Sequence, residues 1–79
     1  MNERDILIVL GEELSALLGV AIPPRADLTA ADIEGWDSME HVRVIVSIEK
    51  RFNIRITAEE SASFQSLGDI SKLISNKLT

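Results

Sequence analysis

Residues 35–52 read GWDSMEHVRVIVSIEKRF, and the periodicity of this stretch decides the fold. Advancing by about 100° per residue, Val44, Ile45, Ile48 and Phe52 fall on one side, with His41 among them. Met39, Val42 and Val46 fall on the other, flanked by Arg43 and Lys50. The stretch therefore reads as a helix that starts at Asp37 or Ser38 and ends near Phe52, where Asn53 tolerates the left-handed conformation that stops a helix. A helix in a small bundle needs only one buried face. The second apolar strip, rimmed by charge, predicts a docking surface made by Met39, Glu40, Val42, Arg43 and Val46. The structural alternative is a wide stripe buried on both sides.

Upstream, Ile6, Leu7, Leu10, Leu14, Leu17 and Leu18 share one face of a helix over roughly residues 3 to 18, with Glu12, Glu13 and Ser15 opposite. Gly11 is a mild penalty inside it, and Gly19 is its expected end cap. A long connection follows, Gly19 to Trp36. It contains Pro23-Pro24, which no helix interior tolerates, and Leu28 and Ile33 are its expected anchors to the core. Downstream, NIRIT alternates but has no partner strand, so it reads as loop. Thr57 with Glu60 makes a capping box for a short helix. Ser66 with Asp69 opens a last helix in the same way, with Ile70, Leu73, Ile74 and Leu78 as its apolar stripe. The expected fold is all-α: a four-helix bundle of three longer helices and one short helix, with a long loop between helices one and two.

With 79 residues, one small domain over residues 1–79 is expected. The first helix begins near Met1 and the last ends near Thr79, as in a free-standing unit. The absence of cysteine excludes disulfides and thiolate metal sites. No carboxylate spacing suits calcium and no His/Cys cluster suits zinc, so no metal is expected. The net charge of −5 disfavours nucleic acid and favours a basic partner surface. The early apolar run Ile6 to Leu10 is too short for a secretory signal, and no run reaches membrane-spanning length. A cytoplasmic monomer with no membrane partner is expected.

Ser38 admits three readings. Asp37 with Glu40 is itself a capping box, which leaves Ser38 an idle first-turn residue. Alternatively, its hydroxyl carries a covalent group. A helix start suits a phosphate ester, because free backbone N–H groups and the helix dipole favour an anion there, and Gly35 just upstream offers open approach. Third, Ser38 is a nucleophile with His41, three residues on, as its base. That reading lacks a carboxylate to orient the single histidine, which lies on the core side.

The run GWDSMEHVRVIVSIEKRFNIRIT resembles the phosphopantetheine attachment region of acyl carrier proteins and their peptidyl-carrier relatives. Their hallmark Asp-Ser-Leu, opening the second helix, reads Asp37-Ser38-Met39 here, and the order of helices matches over nearly the whole chain. The resemblance implies that the chain is a discrete carrier without catalytic activity of its own. It implies that Ser38 accepts 4'-phosphopantetheine, covalently, from coenzyme A. The partners it implies are a phosphopantetheinyl transferase and the acyl- or aminoacyl-activating ligase, synthase or transferase enzymes that exchange thioesters with the arm. Partner enzymes in the family commonly present basic surfaces. On this reading Asp37 caps the helix and helps to position the transferase, and Gly35 gives access. Trp36 packs across the helix start or contacts the pantetheine arm, while Leu28, Ile45, Ile48, Phe52, Ile70 and Ile74 surround any acyl pocket. Carriers of fatty-acid synthesis usually have a small or acidic residue in place of Trp36 and a more acidic second helix than one interrupted by Arg43 and Lys50. These departures point to a specialised pathway: polyketide-like, modified fatty acyl or aminoacyl. The alternative is an unmodified adaptor that docks partners through the second helix.

Overall fold

A computed structural model describes residues 1–78. The chain forms α1 (Glu3–Leu18), a single 3-10 turn (Ala30–Asp32), α2 (Ser38–Phe52), α3 (Ala58–Ser63) and α4 (Leu67–Leu78). The architecture is the expected all-helical one, and no strand occurs among the described residues. Thr79, where the sequence ends the last helix, lies outside the described residues.

Each boundary has a local cause. Asn2 caps α1 by accepting the Asp5 amide at 2.8 Å. Gly19 ends it in the left-handed region, φ 71°. Asn53 ends α2 in the same way at φ 55°, and its amide reaches back to the Glu49 carbonyl. The Thr57–Glu60 box is complete in both directions, at 2.9 and 3.1 Å. The Ser66–Asp69 box is not. Asp69 N donates to Ser66 Oγ at 3.3 Å, but the Asp69 carboxylate turns one residue further upstream and accepts the Gln65 amide at 3.0 Å.

The core is built from Ile6, Leu10 and Leu14 of α1, Val44, Ile48 and Phe52 of α2, and Leu67, Ile70 and Ile74 of α4, closed by Ile22, Ile33 and Trp36 from the long connection. α1 packs chiefly on α4 and also on α2. The expected α1 stripe is too broad: Leu7, Leu17 and Leu18 are only half-buried beside the core. The α4 stripe is shifted toward its start, since Leu67 is buried and Leu78 is exposed. Ile45 is buried as expected. Ser71, also buried, turns its hydroxyl to the Leu67 carbonyl at 3.0 Å, which removes the cost of an unpaired polar group.

The long connection is held rather than loose. Ile22 N donates to Ser15 Oγ at 3.0 Å. The amides of Leu67 and Gly68 donate to the carbonyls of Leu28 and Ala26, at 2.8 and 2.9 Å. Leu28 therefore anchors through its backbone as well as its half-buried side chain, and Ile33 is buried as expected. Asp32 accepts the Thr29 amide at 3.0 Å and closes the 3-10 turn. Gly11 is more than a helix penalty. A Cβ there would stand 3.2 Å from the Ile22 carbonyl oxygen, so its missing side chain admits the returning chain.

Candidate functional site

The connection delivers residues 35–38 to the head of α2. Trp36 N donates to the Ile33 carbonyl at 3.3 Å, closing a four-residue turn. Its third residue is Gly35, at φ 89°, a conformation that costs glycine little. Asp37 is extended and caps the helix, its Oδ1 accepting the Glu40 amide at 2.8 Å. The reciprocal half of the expected capping box is absent. The Glu40 carboxylate instead takes Arg43 Nη1, at 3.1 and 3.0 Å.

Ser38 is the first residue of α2 and is exposed. Its hydroxyl does not cap the helix, because Asp37 does. The amides of Ser38 and Met39 belong to the first turn and have no carbonyl partner within the helix. They form, with the dipole, a small positive end beside the Ser38 hydroxyl.

Trp36 is buried and joins the head of α2 to α3 through His41. Its Nε1–H donates to His41 Nδ1 at 3.1 Å, and the two rings lie nearly parallel with centroids 6.0 Å apart. His41 Nε2 faces the carbonyl and hydroxyl of Ser61, at 3.1 and 2.9 Å. An indole can only donate, so Nδ1 is the acceptor and the neutral ring carries its proton on Nε2, toward Ser61. Both nitrogens are thus committed away from Ser38. Among the described residues the serine has no activating base, and the nucleophile reading fails on geometry.

Beside Ser38 lies an open groove of about 350 Å³. Trp36, Phe64 and Ala30 supply apolar surface, and His41 and Ser61 supply polar atoms. An exposed hydroxyl, two unclaimed amides and an adjoining mixed groove fit a phosphate ester followed by a flexible arm. The sequence reading found Gly35, Trp36, Asp37 and Ser38, and the fold brings them together. It missed Ser61 and Phe64. They lie on and just after a short helix more than twenty residues away, and only tertiary packing brings them to the groove.

The second apolar strip of α2 is exposed. Met39 is 81% accessible, Val42 65% and Val46 42%, which rules out burial of both faces within the described chain. Between α1 and α2 a shallow groove of about 340 Å³ runs past Leu17, Val42, Val46 and Ser47, with Arg43 and Lys50 along it. Glu40 sits at the strip's edge, tied to Arg43.

The sequence matches the family described as "Phosphopantetheine attachment site" over residues 9–74. It is 35% identical to an acyl carrier protein of Helicobacter pylori strain J99 over 95% of this chain and 94% of that one. It is 28% identical to one from Exiguobacterium over 99% and 100%, and 31% identical to a probable acyl carrier protein of Caulobacter vibrioides over 89% and 81%. Proteins of this kind bear 4'-phosphopantetheine covalently, have no catalytic activity of their own, and interact with a modifying transferase and with biosynthetic enzymes. The chain belongs to the acyl carrier protein family.

Proposed function

We propose that Ser38 is the residue that bears the 4'-phosphopantetheine, and that the chain is a discrete carrier of thioester-bound acyl or aminoacyl intermediates in a specialised biosynthetic route. The observation that carries the assignment is the exposed Ser38 hydroxyl at the head of α2, relieved of capping by Asp37 and bordered by the groove. In the loading step the Ser38 oxygen bonds to the phosphorus next to the pantetheine of coenzyme A, and 3',5'-ADP leaves. The hydroxyl proton goes to the transferase, since His41 is committed to Trp36 and Ser61. When attached, the group supplies a thiol that holds acyl chains as thioesters.

The rest of the site serves that tether. The free amides of α2 and the helix dipole offset the charge of the phosphodiester. Gly35 shapes the turn that leaves the serine open, Asp37 fixes the helix head, and Trp36 walls the groove beside the arm. Met39, Glu40, Val42, Arg43 and Val46 form the docking strip. Tethering turns each transfer into an intramolecular reaction once an enzyme is docked, so effective concentration is the carrier's contribution. Trp36 and the cations of α2 support a specialised route, polyketide-like, modified fatty acyl or aminoacyl, over bulk fatty-acid synthesis. The test of the site is peptide mapping after incubation with coenzyme A, magnesium and a broad-specificity phosphopantetheinyl transferase. The modification is expected on the peptide containing Ser38. Modification at Ser47, Ser61 or Ser66 instead would overturn the assignment, and none with two unrelated transferases would favour the unmodified adaptor.

A further inference from the structure

The chain as a whole is acidic, at −5, yet the exposed charged residues from the middle of α2 to just past its end are basic. Arg43, Lys50, Arg51 and Arg55 are all exposed, whereas Glu13, Glu40 and Glu49 are all half-buried. Each of those carboxylates also has a donor within the chain. Glu13 Oε1 accepts the Ser47 hydroxyl at 2.7 Å. Glu40 holds Arg43. Glu49 Oε2 accepts the Ile56 amide at 2.8 Å. The acids are thus less exposed than the bases and engaged within the chain, whereas Lys50 and Arg55 have no ion-pair partner among the described residues.

Lys50 stands between two grooves. One, of about 340 Å³, has Leu17, Val42 and Val46 on its walls. The other, of about 270 Å³, runs past Glu49, Asn53, Ile54 and Arg55, with the Glu49 carboxylate turned to the Ile56 amide. Exposed charges farther apart than about 8 Å are largely screened at physiological salt. The charge a docked partner meets is therefore this local one and not the net charge of the chain. An apolar recess with charge at its rim is also the layout of a protein interface, in which the recess takes an anchor and the rim sets the register.

We propose that this face docks an acidic enzyme surface. The enzyme that loads the Ser38 arm seats an apolar side chain against Val42 and Val46 and presents carboxylates to Lys50 and Arg55. This inference rests on the carrier reading of Ser38 and reverses the partner charge that the net acidity suggests.

The test uses the phosphopantetheinylated carrier and the enzyme that acylates it, purified from the source cell by that activity. A zero-length carbodiimide, which joins an amine to a carboxylate, should link Lys50 to an aspartate or glutamate of the enzyme. Lys50→Glu combined with Arg55→Glu should raise the KM for the carrier about tenfold at unchanged kcat, and the paired Gln variants should fall between. All variants are first brought to full modification and checked by mass. A protein that never takes the arm therefore counts against the Ser38 assignment and not against the docking proposal. An unchanged or lower KM in the Glu variants would overturn the proposal, as would cross-links running only from carrier carboxylates to enzyme lysines. Equally fatal would be tighter binding of the carrier to phosphatidylglycerol vesicles or duplex DNA than to the enzyme, which would assign the cations to a lipid or nucleic-acid partner.

Discussion

Replacing His41 with alanine probes the joint between the head of α2 and α3. The substitution removes the acceptor for Trp36 Nε1, the contact with Ser61, and the near-parallel ring pair. Each hydrogen bond is worth about 1 kcal/mol net, and the ring contact about 0.5–1 kcal/mol. Together they predict a loss of about 2–3 kcal/mol, a large share of the roughly 5–15 kcal/mol that keeps a small domain folded. For a chain of this size that lowers Tm by on the order of 10–20 °C. Trp36→Phe removes the donor and part of a buried ring and should cost about 2 kcal/mol or more. The double variant should fall short of additivity by about 1 kcal/mol, because the Trp36–His41 bond can be lost only once. Urea titrations with a common slope measure all three. The folded fraction of His41→Ala should still accept phosphopantetheine. Stability within about 0.5 kcal/mol of wild type, strict additivity, or loss of modification in a fully folded variant would refute the reasoning.

Three further outcomes follow from single contacts. Gly68→Ala places a Cβ 3.0 Å from both the Cβ and the carbonyl oxygen of Ala26; overpacking of about 1–3 kcal/mol should outweigh the helix-propensity gain of about 1 kcal/mol, and a lowered Tm should be partly restored by adding Ala26→Gly. Asp37→Ala should cost about 1 kcal/mol, whereas Ser38→Ala should stay within about 0.5 kcal/mol; the reverse order in urea titrations would make Ser38 the cap. The Glu60 carboxyl is held below its ordinary value of 4.5, first by the Thr57 amide and then by Lys77. Because the folded value is the lower one, its contribution is complete above pH 4.5 and is lost as pH falls through the folded value. Glu60→Gln should therefore flatten the acid limb of the stability–pH curve, and an unchanged limb would show that this carboxylate is not involved.

The sequence was most legible where one local cause acts alone. Apolar spacing placed the core face of α2, and Gly19, Asn53 and Thr57 marked helix ends through their own chemistry. Legibility fell where a side chain had a choice of partners. Glu40 had the spacing of a capping residue but found Arg43 on the same face, and Asp69 found the Gln65 amide before that of Ser66. It failed where meaning is purely tertiary. Gly11 looked like a helix defect until the returning chain at Ile22 was seen against it, and Gly68 has the same relation to Ala26. The candidate site divides in the same way. Gly35, Trp36, Asp37 and Ser38 are contiguous and could be read in order, whereas the His41–Ser61 contact spans twenty residues and left no local signal. His41 itself could be set on the core side by periodicity, but its two partners, which remove it as a base, required the fold.

The central claim is that Ser38 is the attachment point. The most direct test is the intact mass of wild-type and Ser38→Ala proteins after the same incubation with coenzyme A, magnesium and a broad-specificity phosphopantetheinyl transferase. The account predicts that the wild type gains one phosphopantetheine and that the equally folded variant gains none. An equal gain in both, or a folded wild type that stays unmodified with every transferase tried, would contradict it.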